Sequence, residues 1–227
     1  AADIAGTNAF GVIPPFADQP ALAEGTARFR GEAVALVVGD ADWLAGADLS
    51  GFPVTWQARE AAIEVAAARA GGAAQLHAGR DGNLLVTGRV VSGDGADGLA
   101  GAAARVSAAV DTAYVEHAPI EPEAGCAWME GDVLVVSACT QAPVMDQEDT
   151  AKILGLPREK VRIIPATAGG GFGTKLDVSL QPLLGLAVLK TGKPCRMVFT
   201  RHESMIATTK RHPAAMRGSL AADADGR

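Results

Sequence analysis

Four of the five residues at positions 169–173 are glycine, and the fifth, Phe172, is a large aromatic residue. Glycine has no Cβ atom, so another group can approach its main chain closely, and free amides next to a helix N-terminus can bind an anion. A short apolar strand is expected before this segment and a helix after it. The pattern indicates a loop that holds a ligand against its backbone; a tight turn that binds nothing is the alternative.

The spacing of these glycines excludes the two common nucleotide-binding motifs. A Walker A loop needs lysine directly after its last glycine, but Thr174 separates Gly173 from Lys175. A dinucleotide-binding motif that begins at Gly169 would need glycine at position 174. A free-standing domain that binds a nucleotide or another anion through its main chain, without redox chemistry, remains an alternative.

The composition excludes several other classes of partner. The net charge is −6 and basic residues do not cluster, which argues against nucleic acid. No apolar run is long enough to span a membrane. Cys126, Cys139 and Cys195 form no C-x-x-C pair, so this chain alone is not expected to build a zinc knuckle or an iron–sulfur cluster. Unpaired cysteines favour a reducing compartment, and we expect a cytoplasmic protein.

The elements that must position the glycine loop are predicted as a mixed α/β fold. In the first half the patterns indicate strands at 33–38, 54–57 and 83–91 and a helix at 60–70. In the second half they indicate strands at 106–115, 133–138, 161–164 and 195–200 and helices at 144–154 and 180–190. The strand, glycine loop, helix and strand that end this series suggest a βαβ-like unit. The polar, glycine-rich residues 92–98 are the predicted seam between two domains.

Segments along nearly the whole chain resemble the molybdenum-containing subunit of the xanthine dehydrogenase/aldehyde oxidoreductase family, the molybdenum hydroxylases. The glycine loop with Thr174 and Lys175 is similar to the family signature. Supporting segments in the family order are at 31–37, 117–122, 137–141, 154–161, 191–196 and 210–213. The resemblance implies a hammerhead-type α/β domain at residues 1–95, followed by the first part of a molybdopterin-binding domain at residues 104–227.

The resemblance also implies roles for individual residues. Gln141, from a Thr-Gln pair, would donate a hydrogen bond to the apical oxo ligand of molybdenum, and the metal would take no protein ligand. The backbone of Gly170, Gly171, Phe172 and Gly173 would contact the molybdopterin cofactor, and the glycines would let it approach. The alternative for Gln141 is an exposed polar residue after a strand, and the Phe172 ring is expected to fill the adjacent core.

Three further residues near the loop have expected roles. His117 and Glu121 are expected to form a hydrogen-bonded pair that shapes a turn ahead of Pro122, and not a metal site. Leu176 stands where purine-hydroxylating members of the family have an acidic residue. An apolar side chain there favours an aldehyde or an aromatic heterocycle as substrate.

The reaction implied by the resemblance is hydroxylation of a carbon atom with oxygen from water. Molybdenum-molybdopterin would be the cofactor, with its cytosine dinucleotide form left open, and iron–sulfur clusters and FAD would lie only on partner domains or subunits. The general base, a glutamate, would belong to the remainder of the molybdenum subunit. We therefore expect no catalytic residue in this chain and no turnover by the chain alone. A natural split subunit, completed by another polypeptide, is a further alternative.

Overall fold

The computed structural model describes residues 1–93 and 99–227, and the chain divides into two compact units. The first unit comprises Ala1–Asn83 and His117–Thr209, and the second comprises Leu84–Glu116 and Lys210–Arg227. Most of the predicted seam, residues 94–98, lies outside the described residues. The predicted domain boundary between residues 95 and 104 therefore stays a prediction.

The described residues contain both helices and strands, which confirms the mixed α/β class. The strands are β1 (Ala104–Thr112), β2 (Ala124–Glu130), β3 (Val133–Ala138), β4 (Val161–Pro165), β5 (Cys195–Val198) and β6 (Ala214–Ala222). The helices are α1 (Ala41–Gly46), α2 (Val65–Ala68), α3 (Pro143–Leu154), α4 (Gln181–Thr191) and α5 (Arg201–Ala207). None of the helices within the described residues has the length and apolar character needed to cross a membrane.

The first unit is built on a four-stranded sheet with the order β4-β3-β2-β5. Strands β2 and β3 form an antiparallel hairpin, and Gly131 begins its turn with a φ of +61°, which glycine adopts without strain. Strands β3 and β4 are parallel neighbours, joined through α3. The predicted βαβ-like unit is wrong in its pairing: β4 and β5, which flank the glycine loop and α4, lie at opposite edges of the sheet. The glycine loop therefore begins a connection that crosses the sheet.

The core of the first unit lies where α3 and α4 pack against this sheet. Almost every residue in the first two turns of α4 is buried, as expected for a helix that is apolar on all faces. A Cβ atom at Gly185 would lie 2.5 Å from Leu154 Cδ1 and 2.8 Å from Leu134 Cδ2, so glycine at this position permits close packing of α4. Helix α3 ends at Gly155, whose left-handed conformation (φ +68°) terminates it as the sequence predicts.

The N-terminal half is less regular than its sequence pattern predicts. Residues 33–38 and 54–57 form no strand, and the predicted helix at 60–70 is reduced to the four residues of α2. Large apolar side chains here are exposed, including Trp56 (65%) and Ile63 (75%). Since a strand needs a neighbour to pair with and a surface to pack on, apolar residues without these partners do not form one.

The second unit contains an antiparallel two-stranded ribbon of β1 and β6. One face of this ribbon is polar: the Ser107 and Ser219 hydroxyls lie 2.7 Å apart, and Arg217 pairs with Asp111 at 3.1 Å. The other face is apolar and lines a groove of about 330 Å³, formed by Val106, Ala108, Val110, Met216, Gly218 and Leu220. We call this surface the apolar ribbon face.

Two leucines of α4 provide a test of this core. Leu184 is 1% exposed, whereas Leu189 on the same helix is 42% exposed. We expect Leu184→Ala to lower the free energy of unfolding by about 2–5 kcal/mol, because it removes buried contacts and leaves a cavity. Leu189→Ala should change it by less than about 0.5 kcal/mol. Urea denaturation measures both, and equal effects would contradict this packing of α4.

Candidate functional site

The glycine loop is fastened at its first residue by Glu121. Glu121 Oε2 accepts hydrogen bonds from the Gly169 N–H (2.9 Å) and from Lys175 Nζ (2.7 Å), and Lys175 Nζ also donates to Glu121 O (3.0 Å). The Glu121 N–H donates to Gly169 O (3.3 Å). One carboxylate thus binds the first amide of the loop and the side chain of Lys175, two residues after its last glycine, although the sequence had suggested His117 as the partner of Glu121.

The ion pair of Glu121 and Lys175 is largely withdrawn from water. The Lys175 side chain is 2% exposed and the Glu121 side chain 26%. Burial alone would raise the pKa of Glu121, but the hydrogen bonds from Lys175 and Gly169 and the charge of Lys175 together hold this pKa below its usual value. The carboxylate therefore stays ionised at neutral pH and keeps the buried ammonium paired.

The other end of the loop is fastened by Gln141. Its Oε1 accepts hydrogen bonds from the Gly173 N–H (2.9 Å) and the Lys175 N–H (3.4 Å), and its own backbone N–H donates to Lys175 O (2.9 Å). Two amide donors at Oε1 fix the orientation of the carboxamide, because a flipped amide would place N–H against N–H. Both of the hydrogen bonds that this side chain makes within residues 1–93 and 99–227 use Oε1, which leaves Nε2 as an available donor.

Between Gly169 and Gly173, three consecutive backbone amides have no acceptor within residues 1–93 and 99–227. The N–H groups of Gly170, Gly171 and Phe172 make no hydrogen bond to any residue that the structure describes, although Gly171 is buried. Buried backbone amides are nearly always paired in folded proteins. A loop whose ends are held and whose middle amides are unpaired is suited to donate these hydrogen bonds to a ligand.

The four glycines of the loop are required for two different reasons. A Cβ atom at Gly169 would lie 2.6 Å from Glu121 Cβ, and one at Gly171 would lie 2.3 Å from Gln141 Oε1. These two glycines therefore make room for the protein's own side chains. Gly170 and Gly173 have φ angles of +105° and +98°, which side-chain-bearing residues rarely adopt. These reasons lie within the chain itself, and the expected contact of Gly170, Gly171 and Gly173 with a cofactor stays a prediction.

Phe172 differs from its expected environment. Its ring is 71% exposed, so the expectation that it fills the adjacent core is wrong. Its φ is +56°, a left-handed conformation that costs a non-glycine residue about 1–2 kcal/mol. The bonds at Gly169 and Gly173 constrain the residues on either side, and Phe172 adopts the conformation that joins them.

Two other residues with predicted roles, Leu176 and His117, lie close in sequence to Lys175 and Glu121. Leu176 directly follows Lys175 and is half-buried. His117 has a buried Nδ1 without a hydrogen-bond partner among the described residues, so the expected pairing with Glu121 is wrong. Glu121 Oε2 is instead held by the ammonium of Lys175 and the amide of Gly169.

A buried polar pair joins helices α3 and α4, and it was not predicted from the sequence. Asp146, in the first turns of α3, is fully buried, and its Oδ2 accepts from Gln181 Nε2 of α4 (2.9 Å). The pKa of Asp146 is raised to about 6, chiefly by burial and also by the negative charges of Asp149 and Asp177. Hydrogen bonding by Thr140 and Gln181 acts in the opposite direction and lowers this pKa. The available signal was Gln181 at the start of the apolar helix α4.

Removing the Glu121 carboxylate tests the buried ion pair. We expect Glu121→Gln to lower the free energy of unfolding by about 3 kcal/mol at pH 7, because Lys175 is left buried without a charged partner. The matched control is Glu148→Gln, which breaks an exposed 2.7 Å pair with Arg158 and should cost less than about 1 kcal/mol. Since the pKa of Glu121 is lowered in the folded state, its contribution is present above pH 4.5 and is lost as the pH falls. Urea denaturation at a series of pH values should show the difference shrinking in acid.

Asp146 should make the free energy of unfolding depend on pH with a sign opposite to that of Glu121. Its pKa rises from 3.8 to about 6 on folding, so the folded state binds the proton more tightly, and stability falls as the pH rises through this window. From these two pKa values, Asp146 should remove roughly 1.4 kcal/mol of stability between about pH 5 and pH 8. The variant Asp146→Asn cannot ionise, so its stability should lack this component. Parallel pH profiles for the two proteins in urea denaturation would contradict the buried carboxyl group.

Comparison with known proteins places this chain in a family. The model of the family described as the molybdopterin cofactor-binding domain matches residues 76–227, more than half of the chain. The chain is 34% identical over 225 residues to the nicotinate dehydrogenase large molybdopterin subunit of Eubacterium barkeri, covering 99% of the chain and 52% of that protein. It is 31% identical over 202 residues to the xanthine dehydrogenase molybdenum-binding subunit of Escherichia coli O157:H7, covering 88% and 26%. The chain thus spans about half the length, or less, of these curated relatives.

Solved structures agree on the fold. The aldehyde oxidoreductase from Desulfovibrio gigas superposes with a TM-score of 0.86 at 23% identity, covering 99% of this chain and 26% of that one. Quinoline 2-oxidoreductase from Pseudomonas putida 86 gives a TM-score of 0.55 at 26% identity, covering 58% and 17%. The resemblance noted in the sequence is confirmed, and the chain belongs to the molybdopterin cofactor-binding domain family of the xanthine dehydrogenase and aldehyde oxidoreductase relatives.

Proposed function

We propose that this chain supplies one wall of the molybdopterin site of a molybdenum hydroxylase. This proposal rests on three amides, at Gly170, Gly171 and Phe172, that have no partner in the part of the chain that the structure describes, in a loop that is held at both ends. Around a Cβ placed on Gly173, the described residues leave at least 4 Å free, so a planar group has room there. These features fit a bulky cofactor with several hydrogen-bond acceptors.

Gln141 is the second part of the proposed site. Its Oε1 is committed to the Gly173 and Lys175 amides, so its Nε2 can donate to an acceptor outside the loop. A carboxamide donates without adding charge, so Gln141 Nε2 would be suited to an oxo ligand of the bound metal. When bound, the molybdenum cofactor supplies the two-electron redox chemistry. The role of this chain is to bind and orient the cofactor and to donate hydrogen bonds to it.

The proposed substrate is an aldehyde or an aromatic heterocycle. Leu176 adds an apolar side chain directly after the loop, where an acidic residue would favour a polar purine. The Eubacterium barkeri relative is named for nicotinate, which is an aromatic heterocycle. The oxygen atom of the product would come from water.

The remaining machinery is proposed to lie on further polypeptide. This chain covers only 52% and 26% of the two curated relatives, and we propose that the remainder of the molybdenum subunit supplies the general base. Iron–sulfur clusters and FAD would lie on partner domains or subunits. The proposed cofactor is molybdenum-molybdopterin, and the proposal extends to its cytosine dinucleotide form. Three free cysteines favour a cytoplasmic location.

The decisive experiment uses the complete protein that contains this sequence, with any partner subunits. We expect metal analysis to find molybdenum, and we expect aldehyde or heterocycle oxidation in ¹⁸O-labelled water to place the label in the product. A protein without molybdenum that binds a nucleotide would support the non-redox alternative and overturn this proposal. If the remainder of the molybdenum subunit is a separately encoded chain, and molybdenum is bound only when both chains are present, the chain is a split subunit.

Gln141 provides the prediction for this site. In the complete enzyme, Gln141→Ala should lower the rate of substrate oxidation about 10- to 100-fold, because it removes a donor to the cofactor and loosens the loop. The control is Gln57→Ala, which changes an exposed glutamine and should leave the rate unaltered. Steady-state kinetics with molybdenum content measured on the same samples separates lost chemistry from lost cofactor. An unchanged rate per molybdenum would remove Gln141 from the proposed site.

A further inference from the structure

The second half of the glycine loop, residues 171–174, is a tight turn that contains a strained residue. The Thr174 N–H donates to Gly171 O (3.0 Å) and closes the turn. The two central residues, Phe172 and Gly173, have φ angles of +56° and +98°. Positive φ at both central positions defines a type I′ turn, which glycine, asparagine and aspartate normally form. Phenylalanine is costly at the first of these positions, and its mostly exposed ring gains little packing in return.

A side-chain hydrogen bond supports this strained turn. Thr174 Oγ1 also donates to Gly171 O (3.0 Å), and Thr174 is buried, with 4% of its surface exposed. Gly171 O therefore accepts two hydrogen bonds from one residue, the first from its main chain and the second from its hydroxyl group. A hydrogen bond in the protein interior is stronger than the same bond in water, because the local dielectric constant is low.

These two bonds determine where the Phe172 amide points. The peptide bond between Gly171 and Phe172 is trans, so its C=O and N–H groups point in opposite directions. Because Gly171 O is directed at Thr174, the Phe172 N–H is directed away from Thr174. This N–H is one of the three loop amides without an acceptor among the residues that the structure describes. The next peptide group is held separately, since the Gly173 N–H donates to Gln141 Oε1 (2.9 Å).

We propose that Thr174 is a positioning residue of the candidate site: its hydroxyl group holds Gly171 O and thereby directs the Phe172 N–H toward a ligand bound at the glycine loop. The consequence for the molybdenum cofactor rests on the proposed function of this loop. The orientation of the turn is a property of the chain itself, and it can be measured whether or not molybdenum is bound.

The test removes the hydroxyl group in the complete protein that contains this sequence. Thr174→Val keeps the shape of the side chain and the main-chain bond but has no Oγ1 donor. Hydrogen exchange of single amides, followed by mass spectrometry, should show a protection factor about five- to tenfold lower at the amide of residue 174, because a turn with one bond fewer opens more often. The Gly169 amide is held by Glu121 and should be unchanged. Equal losses at both amides, or none at residue 174, would overturn the proposal.

Two further variants isolate the hydroxyl group. Thr174→Ser retains the donor and should keep the wild-type protection. Thr150→Val is the matched control, because Thr150 is fully buried and its Oγ1 has no hydrogen-bond partner in the described part of the chain. It should leave both amides unaltered, and a loss at residue 174 equal to that in Thr174→Val would refute the role of the hydroxyl bond. If Thr174→Val does not fold, Thr174→Ala carries the same expectation without a methyl group facing Gly171 O.

The same variants connect the turn to the cofactor. The rate of substrate oxidation per bound molybdenum should fall about tenfold in Thr174→Val and recover in Thr174→Ser. A lowered protection factor with an unchanged rate per molybdenum would overturn the role of Thr174 in the site. An absence of molybdenum from the complete protein would refute the proposed function, and the exchange at residues 169 and 174 would still decide whether Thr174 orients the turn.

Discussion

The ammonium group of Lys175 is buried and must be paired with an anion, and this constraint determines much of the candidate site. An unpaired buried charge costs several kcal/mol, so Glu121 must lie close to it. Glu121 approaches so closely that position 169 has no space for a Cβ atom. The same carboxylate oxygen then binds the Gly169 amide, which fixes the start of the glycine loop relative to its end. The exposed Phe172 and the three unpaired amides are the residues left between these fixed points.

The sequence predicted the regular elements near the site well, because they are determined by local pattern and burial. The strand predicted at 133–138 and the helices predicted at 144–154 and 180–190 agree closely with β3, α3 and α4. Helix α5 was missed despite a visible signal: Thr200 and Glu203 form a reciprocal capping box at its start. Strands β2 and β6 were also missed, since their mixture of small and polar residues forms strands only beside specific partners.

The candidate site itself was predicted only in part. Its principal segments, the glycine loop and Gln141, came from resemblance to a family, and the structure places them within hydrogen-bonding distance. The pairing of Glu121 with Lys175 joins residues 54 positions apart, and the Asp146–Gln181 bond joins residues 35 positions apart. Local periodicity carries no information about such contacts, since they depend on how the helices and loops pack. The burial that makes them strong becomes visible only in three dimensions.

The apolar ribbon face has a practical consequence for anyone who produces this chain. Val106, Val110 and Leu220 are more than half exposed on a ribbon of two strands, and neither β1 nor β6 has a second neighbouring strand among the described residues. Contiguous apolar surface next to unpaired strand edges promotes self-association in water. Concentrated solutions of the isolated chain will therefore tend to aggregate through this ribbon, and lysine substitutions on its apolar side are the rational way to keep samples monodisperse.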